Sequence, residues 1–309
     1  MGRDKKDTRQ KGRKETEKAS KKAGKTVEKA ETKPIVSFVI CSVDENKLKT
    51  CMAAIENQNY PKDKIEWHIM RGFMPEGEGG GKQVGCNACN GEFIAIVDED
   101  NIVQGPEWLN NMLKPLLADE SLVGTHCRLM VDHSDPLINQ YVSLVGTDPV
   151  FAYRSIDGYR DLEEIKMNKE NTLVTGGNCF IYRKSALDKI GGYTQDTDNI
   201  ASFVELGICK IVVPKNAFTH HLAADSFWGF LKKKAKWSKQ PISKKWKWIE
   251  PRLFLEVFLN LTLIANIYKA VRNYYREGKE PAWSLHPLLA FLTTIIYGWN
   301  FVKRKIFKE

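Results

Sequence analysis

Residues 1–33 hold no aromatic residue and, apart from Met1 and Val27, no large apolar one. Such a segment cannot bury enough surface to offset the entropy of ordering. It is read as a basic tail, disordered or transiently helical, with anionic lipid or RNA as the surfaces it could touch. The tail also lacks an apolar run, so no secretory signal is expected. A second Cys-x-x-Cys is missing: Cys86-x-x-Cys89 stands alone, the seven cysteines are scattered, and His126, Cys127 and His133 follow no standard zinc spacing. Reduced thiols in the core of a cytosolic protein are expected. A P-loop is absent too, because "GGGK" has Glu76 where the first glycine is needed and Gln83 in place of Ser or Thr.

Positive charge is present in excess but confined. The chain of 309 residues carries +9. Residues 1–33 contribute +7 and residues 231–250 another +7, leaving −5 for the rest. A mildly acidic middle between two basic segments argues against a nucleic-acid groove through the core, and no nucleic-acid partner is expected. Length and a hydrophobic fraction of 42% suit one large domain with extensions.

From Pro34 apolar runs and amphipathic stretches alternate. "IVSFVI" (35–40), "KIEWHIM" (64–70), "FIAIV" (93–97), "SLVGTHCRLMV" (121–131), "TLVTGGNCFIY" (172–182) and "CKIVVP" (209–214) read as strands. "ENKLKTCMAAIENQ" places Leu48, Met52 and Ile55 on one helical face. "GPEWLNNMLKPLL" begins with Pro106 in its first turn, and "KSALDKIGG" closes on glycine. The alternation predicts an α/β fold, a mainly parallel sheet with helices on both faces. From Phe227 the character changes: tryptophans 228, 237, 246 and 248 interleave with lysines, and two apolar segments of 19 residues follow, Leu253–Val271 and Ser284–Val302. Each would be about 28 Å long as helix, near the hydrocarbon thickness of a bilayer. The first shares Asn266, Lys269 and Asn273 on one face, which suits a helix lying in the interface; the second is cleaner. Membrane association is expected, with a buried all-protein helical pair as the alternative.

The run "GEFIAIVDEDN" (91–101) poses the chemical question, since a buried strand ends in three adjacent acids. Ligands of an open parallel sheet bind beyond the carboxyl ends of its strands. Alternation sends Asp98 and Asp100 to one side and Glu99 to the other. Two carboxylates there suit a hard divalent cation whose remaining ligands are phosphate oxygens.

These motifs carry a resemblance over roughly residues 34–225. "VSFVICSVDENKLKTCMAAIENQNYPKDKIEW", "GKQVGCNACNGEFIAIVDEDNIVQGPEWLNNML", "TGGNCFIYRKSALDKIGGYTQDTD" and "GICKIVVPKNAFTHH" resemble, in order, the characteristic segments of family 2 glycosyltransferases, enzymes of the GT-A fold. The resemblance implies Asp196 as the base that takes a proton from the acceptor hydroxyl. It implies donor binding by Cys41, Ser42, Asp44, Arg71, Lys82, Asp98 and Asp100, with Mn2+ or Mg2+ held by Asp98 and Asp100 together with His220 or His221. Gly176, Gly177, Asn178, Lys236 and Trp237 are implied on the acceptor side. Three domains follow: the tail (1–33), a GT-A domain (34–225) and a basic, tryptophan-rich segment with membrane-associated helices (226–309).

The implied protein is an inverting transferase at the cytoplasmic face of a membrane, moving sugar from a nucleotide donor to a lipid-linked or glycan acceptor. Departures from the family pattern motivate alternatives. Arg71 stands where an aspartate commonly meets the nucleobase, Lys82-Gln83 replaces Arg-Asn, and Gln195 replaces a frequent glutamate. "FWGFLKKKAKW" keeps little of the Q-x-x-R-W element of processive members, so no polymerase is read. The alternatives are a catalytically silent nucleotide-sugar-binding or scaffold protein at the membrane, and a basic membrane- or RNA-binding protein.

Overall fold

The period-two alternation of the apolar runs dictates two separate cores, and the computed structural model realises both. It describes residues 33–72, 77–146, 148–150, 164–171, 179–238, 255 and 257–307. The basic tail, Trp246, Trp248 and the loop with Gly176, Gly177 and Asn178 lie outside them. Strands are β1 (Val36–Ser42), β2 (Ile65–Arg71), β3 (Phe93–Asp98), β4 (Asn101–Val103), β5 (Gly124–His126), β6 (Arg128–Leu129), β7 (Glu164–Lys166), β8 (Phe180–Arg183), β9 (Lys210–Val212) and β10 (Phe218–His221). Helices are α1 (Glu45–Glu56), α2 (Gly77–Ala88), α3 (Trp108–Ala118), α4 (Leu137–Val145), α5 (Lys184–Lys189), α6 (Asp196–Glu205), α7 (Phe227–Trp237), α8 (Leu263–Arg276) and α9 (His286–Phe307).

Val36, Phe38 and Ile40 of β1, with Phe93, Ala95 and Val97 of β3, face α1 and α3, meeting Leu48, Ile55, Trp108 and Met112. Val39, Ile94 and Ile96 face the other way, toward Cys86, Cys89, Leu187, Ile200 and Phe203 of α2, α5 and α6. Both members of the Cys86–Cys89 pair are thus core thiols, and burial pushes the Cys89 thiol up to about 11. Burying the five apolar side chains of β3 contributes on the order of 10 kcal/mol before chain entropy is counted. That is enough to hold a strand whose end carries three acids.

The large sheet has the order β2-β1-β3-β8-β5-β9-β7. Its first three strands are parallel, as the alternation predicts. β8 runs antiparallel to both β3 and β5, and β7 antiparallel to β9, so the sheet is mixed. The run 121–131 is not one strand. It breaks at buried Cys127 and sends β5 into the large sheet and β6 into a small one of order β4-β10-β6. The local sequence does not predict helix α2. Its "GEGGGKQVGCNA" is too glycine-rich for helix propensity, and packing overrides it.

The C-terminal part packs around a third cluster, in which Ile138, Tyr141 and Leu144 of α4 meet Phe230 and Leu231 of α7 and Trp283 and Leu289 near the start of α9. The segment 253–271 is not a single 19-residue helix, because a turn at Leu261 and a cap at Thr262 precede α8. α8 turns its polar face inward: Asn266 and Asn273 are buried, while Ile264, Ile267, Tyr268, Val271 and Tyr275 are exposed. Asn266 Nδ2 donates to the Asn260 carbonyl at 2.8 Å, and Lys269 Nζ to Asn260 Oδ1 at 2.9 Å. The Asn266–Asn273 face therefore meets protein instead of the aqueous side of an interface. α9 is mixed, burying His286, Thr293 and Thr294 together with Leu289 and Ala290 and exposing Leu288, Ile295, Trp299, Val302 and Ile306. With the turn before it, the stretch Pro281–Lys303 is long and apolar enough to cross a membrane.

Candidate active site

The site is built where β1 and β3 end side by side, Cys41 in register with Asp98. The middle acid, Glu99, is consumed by structure. Glu99 Oε2 accepts from the Ser42 hydroxyl and from the amides of Val43 (3.0 Å) and Asp44 (2.9 Å), folding the loop after β1. Asp44 in turn caps α1, its Oδ1 accepting from the amides of Asn46 (2.9 Å) and Lys47 (3.2 Å). Two of the donor-side candidates, Ser42 and Asp44, thereby shape the loop.

Lys82 does what the spacing could not announce. α2 lies close against β1 because of Gly85: a Cβ there would stand 2.5 Å from Val39 Cγ1. That approach drives Lys82 into the sheet end, where it is only 3% exposed. Its Nζ is 2.7 Å from Asp98 Oδ1 and 3.6 Å from Asp196 Oδ2. Asp196 is the first residue of α6, where the amides of a helix N-terminus favour a carboxylate. Its other oxygen accepts from the hydroxyl of buried Tyr193 at 2.8 Å. Two carboxylates nearly a hundred positions apart in sequence, Asp98 and Asp196, so share one ammonium. No local sequence pattern marks Tyr193 for this place.

Asp100 occupies a second corner. β10 runs antiparallel to β4 with His221 opposite Asn101, and the Leu222 amide donates to the Asp100 carbonyl at 2.8 Å. This pairing brings His221 Nε2 to 3.4 Å from Asp100 Oδ2, with Lys233 Nζ of α7 at 3.7 Å. Burial alone would push the Asp100 carboxyl up; His221, Lys233 and Lys47 outweigh it and hold the group well below the usual carboxylate range. His220, one residue along the strand, points elsewhere and bonds Asp135 Oδ2 at 2.8 Å. Asp98, tied to Lys82, and Asp100 with His221 do not converge, and among the described residues no group of three or more His, Cys, Asp or Glu side chains does. One carboxylate oxygen and one imidazole nitrogen facing each other nevertheless suit a divalent cation that takes its remaining ligands from phosphate and water. The site fits such an ion with two protein ligands, Asp100 and His221.

The rim is completed by Arg71, exposed at the end of β2 with Nε 2.8 Å from Glu45 Oε1. Cys41 is half-buried beside Asp98. On α7 the Trp237 ring lies 5.0 Å beneath the Lys233 ammonium and 4.5 Å beneath that of Lys234, while Lys236 is exposed.

A family model described as "Glycosyltransferase like family 2" matches residues 18–240. No match is found among curated protein sequences. Among solved structures, the mannosyltransferase PcManGT from Pyrobaculum calidifontis, solved with GDP-Man and Mn2+, is similar at a TM-score of 0.51 and 12% identity, over 92% of this chain and 93% of that one. S. aureus TarS 1-349 with UDP-GlcNAc gives 0.44 at 12%, over 88% and 92%. Glucosyl-3-phosphoglycerate synthase from Mycobacterium tuberculosis, with Mn2+, UDP-Glc and phosphoglyceric acid, gives 0.40 at 14%, over 61% and 72%.

Proposed function

This chain belongs to glycosyltransferase-like family 2 and is a glycosyltransferase of the GT-A fold, and from that premise we propose that it transfers a sugar, with inversion, from a nucleoside diphosphate donor to an acceptor at a membrane surface. The observation that carries the reading is the Lys82 bridge, which sets Asp196 beside Asp98 at one end of the sheet. Asp196 takes the proton of an acceptor hydroxyl as that oxygen bonds to the anomeric carbon. The bond from that carbon to the diphosphate breaks, and its electron pair leaves with the phosphate. Tyr193 and Lys82 fix the carboxylate's direction, and an acceptor that is already an anionic phosphate would need less of its help. The Lys233 ammonium faces the diphosphate end. Asp100 and His221 are the residues that would hold a divalent cation, which when bound neutralises charge on the departing diphosphate; the similar mannosyltransferase was solved with Mn2+ and GDP-Man. Arg71 donates where the base or its ribose would enter.

The outward apolar faces of α8 and α9 support a membrane location, and with it a lipid-linked acceptor reached from the cytoplasmic face. On this reading residues 34–225 hold the chemistry and 226–309 the anchor.

The test is thermal stabilisation by UDP and GDP with and without Mn2+. A shift that needs the metal and disappears in Asp100→Ala is expected. Asp196→Asn should keep that shift and lower transfer by about 10²–10⁴-fold. Transfer that survives Asp196→Asn would remove the base assignment. Nucleotide binding without turnover in the unaltered chain would favour the silent, scaffold-like alternative.

A further inference from the structure

Beyond the site, α7 and α9 are joined through a polar triad centred on a buried lysine. Lys234 is 1% exposed, its Nζ 3.1 Å from Asp148 Oδ2, and the Tyr297 hydroxyl of α9 donates to that same oxygen. One turn further along α9, Asn300 Nδ2 donates to Ser238 Oγ, just past the end of α7. α9 thus grips α7 at two points on its inner face, while Leu288, Ile295, Trp299, Val302 and Ile306 form its outer one. The residue beside Lys234 shares the Trp237 ring with it but reaches the site: Lys233 Nζ donates to the Ala223 carbonyl at 3.4 Å and stands 3.7 Å from Asp100 Oδ2.

A buried ammonium held by a partly buried carboxylate and phenol is a poor way to obtain stability, because well-packed apolar residues of the same volume serve as well or better. What the triad supplies is geometry. Consecutive residues on one rigid helix cannot move independently, so whatever fixes Lys234 against α9 also fixes Lys233 against Asp100. The occupant of α9's outer face is a lipid surface. Its apolar stripe is accompanied near its end by exposed Lys303, which suits anionic headgroups, and its inner face carries polar groups already partnered by protein.

We propose that Tyr297, Asp148 and Lys234 are positioning residues that couple the seating of α9 in lipid to the placement of Lys233 at the diphosphate end of the site. The proposal rests on the reading of Asp100 as that end.

The experiment uses the full chain with and without vesicles of phosphatidylcholine and phosphatidylglycerol. It reads kcat and KM for hydrolysis of UDP- and GDP-sugars with Mn2+. Vesicles are expected to lower KM of the unaltered chain about tenfold with kcat little changed, the equivalent of one additional charge-assisted hydrogen bond to the donor. Tyr297→Phe should still float with vesicles but lose most of that response. Asn300→Ala, which leaves the ion pair untouched, should lose part of it and keeps the test open if Tyr297→Phe does not fold. A vesicle response equal in all three chains, or absent from the unaltered one, overturns the proposal. If Asp100→Ala leaves UDP and GDP binding intact, the donor-site reading fails and the coupling with it. If Asp100→Ala abolishes binding while Tyr297→Phe matches the unaltered chain, the coupling alone fails.

Discussion

The sheet and the C-terminal helices obey opposite rules. Around β1 and β3 apolar side chains point inward and charges sit at strand ends, as water requires. In α8 and α9 amides, hydroxyls and a histidine are buried beside a few apolar residues such as Ala270, Leu289 and Ala290, while many of the large aliphatic and aromatic side chains face outward. An inside-out helix is costly in water, because it exposes apolar area and buries groups that need partners. It is this difference in what faces outward between two regions of one chain that motivates the proposed membrane location.

The largest effect should come from placing the same change on either side of that divide. Ile96 is fully buried in β3, and Ile96→Asp strands a carboxylate at the centre of the sheet. A loss above about 4 kcal/mol is expected, enough to prevent folding. Ile264, 84% exposed on α8, is as apolar, yet Ile264→Asp should change stability in solution by no more than about 0.5 kcal/mol. It should instead abolish flotation with vesicles. Flotation unchanged in Ile264→Asp would erase the distinction between the regions.

The contrast explains what could be read from the sequence. Continuous apolar runs such as "FIAIV" gave the strands and a sheet covered on both faces, the acids at the end of that run drew attention to Asp98 and Asp100, and the family resemblance named Asp196 as a candidate. Local periodicity cannot tell inside from outside. The pattern of Asn266, Lys269 and Asn273 gives a polar face, but only tertiary packing shows that it points into protein. α2 escaped for a related reason: its glycines lower helix propensity, while the need for close approach to Val39 is a property of the packed pair. The Lys82 bridge escaped because two of its three members lie far apart in sequence, and because a match to a donor-binding position says nothing of the carboxylates beside Lys82.

A second, smaller effect compares the two buried lysines. Lys82→Met leaves Asp98 and Asp196 facing each other without a cation, but both keep some access to water. About 1–3 kcal/mol of stability should go, with turnover falling further than stability does. Lys234→Met leaves Asp148, about as exposed as Asp196, without its ammonium and also removes that ammonium's contacts with the Phe230 and Trp237 rings, so a larger loss of about 3–5 kcal/mol is expected, visible as a lower urea midpoint. Equal destabilisation of the two variants would mean that the two interiors are not different after all.

The smallest effect is a pH dependence confined to the sheet. Glu66 of β2 stands in register with Ser37 of β1 and accepts from its hydroxyl, from the Asn90 amide at 2.9 Å and from Asn90 Nδ2 at 2.7 Å. Burial pushes its carboxyl up, and these donors more than reverse that, bringing it from 4.5 to about 2. A pKa lowered on folding contributes stability that is complete above the unfolded value and is lost as pH falls through the folded one. Glu66→Gln should therefore cost about 1 kcal/mol at neutral pH, less than the shift alone implies because the group is partly solvated, and nothing near pH 2. Urea titrations at stepped pH would show the two chains converging as acid is added. Parallel curves would mean that the Ser37–Glu66–Asn90 contact does not hold β1 to β2 in solution.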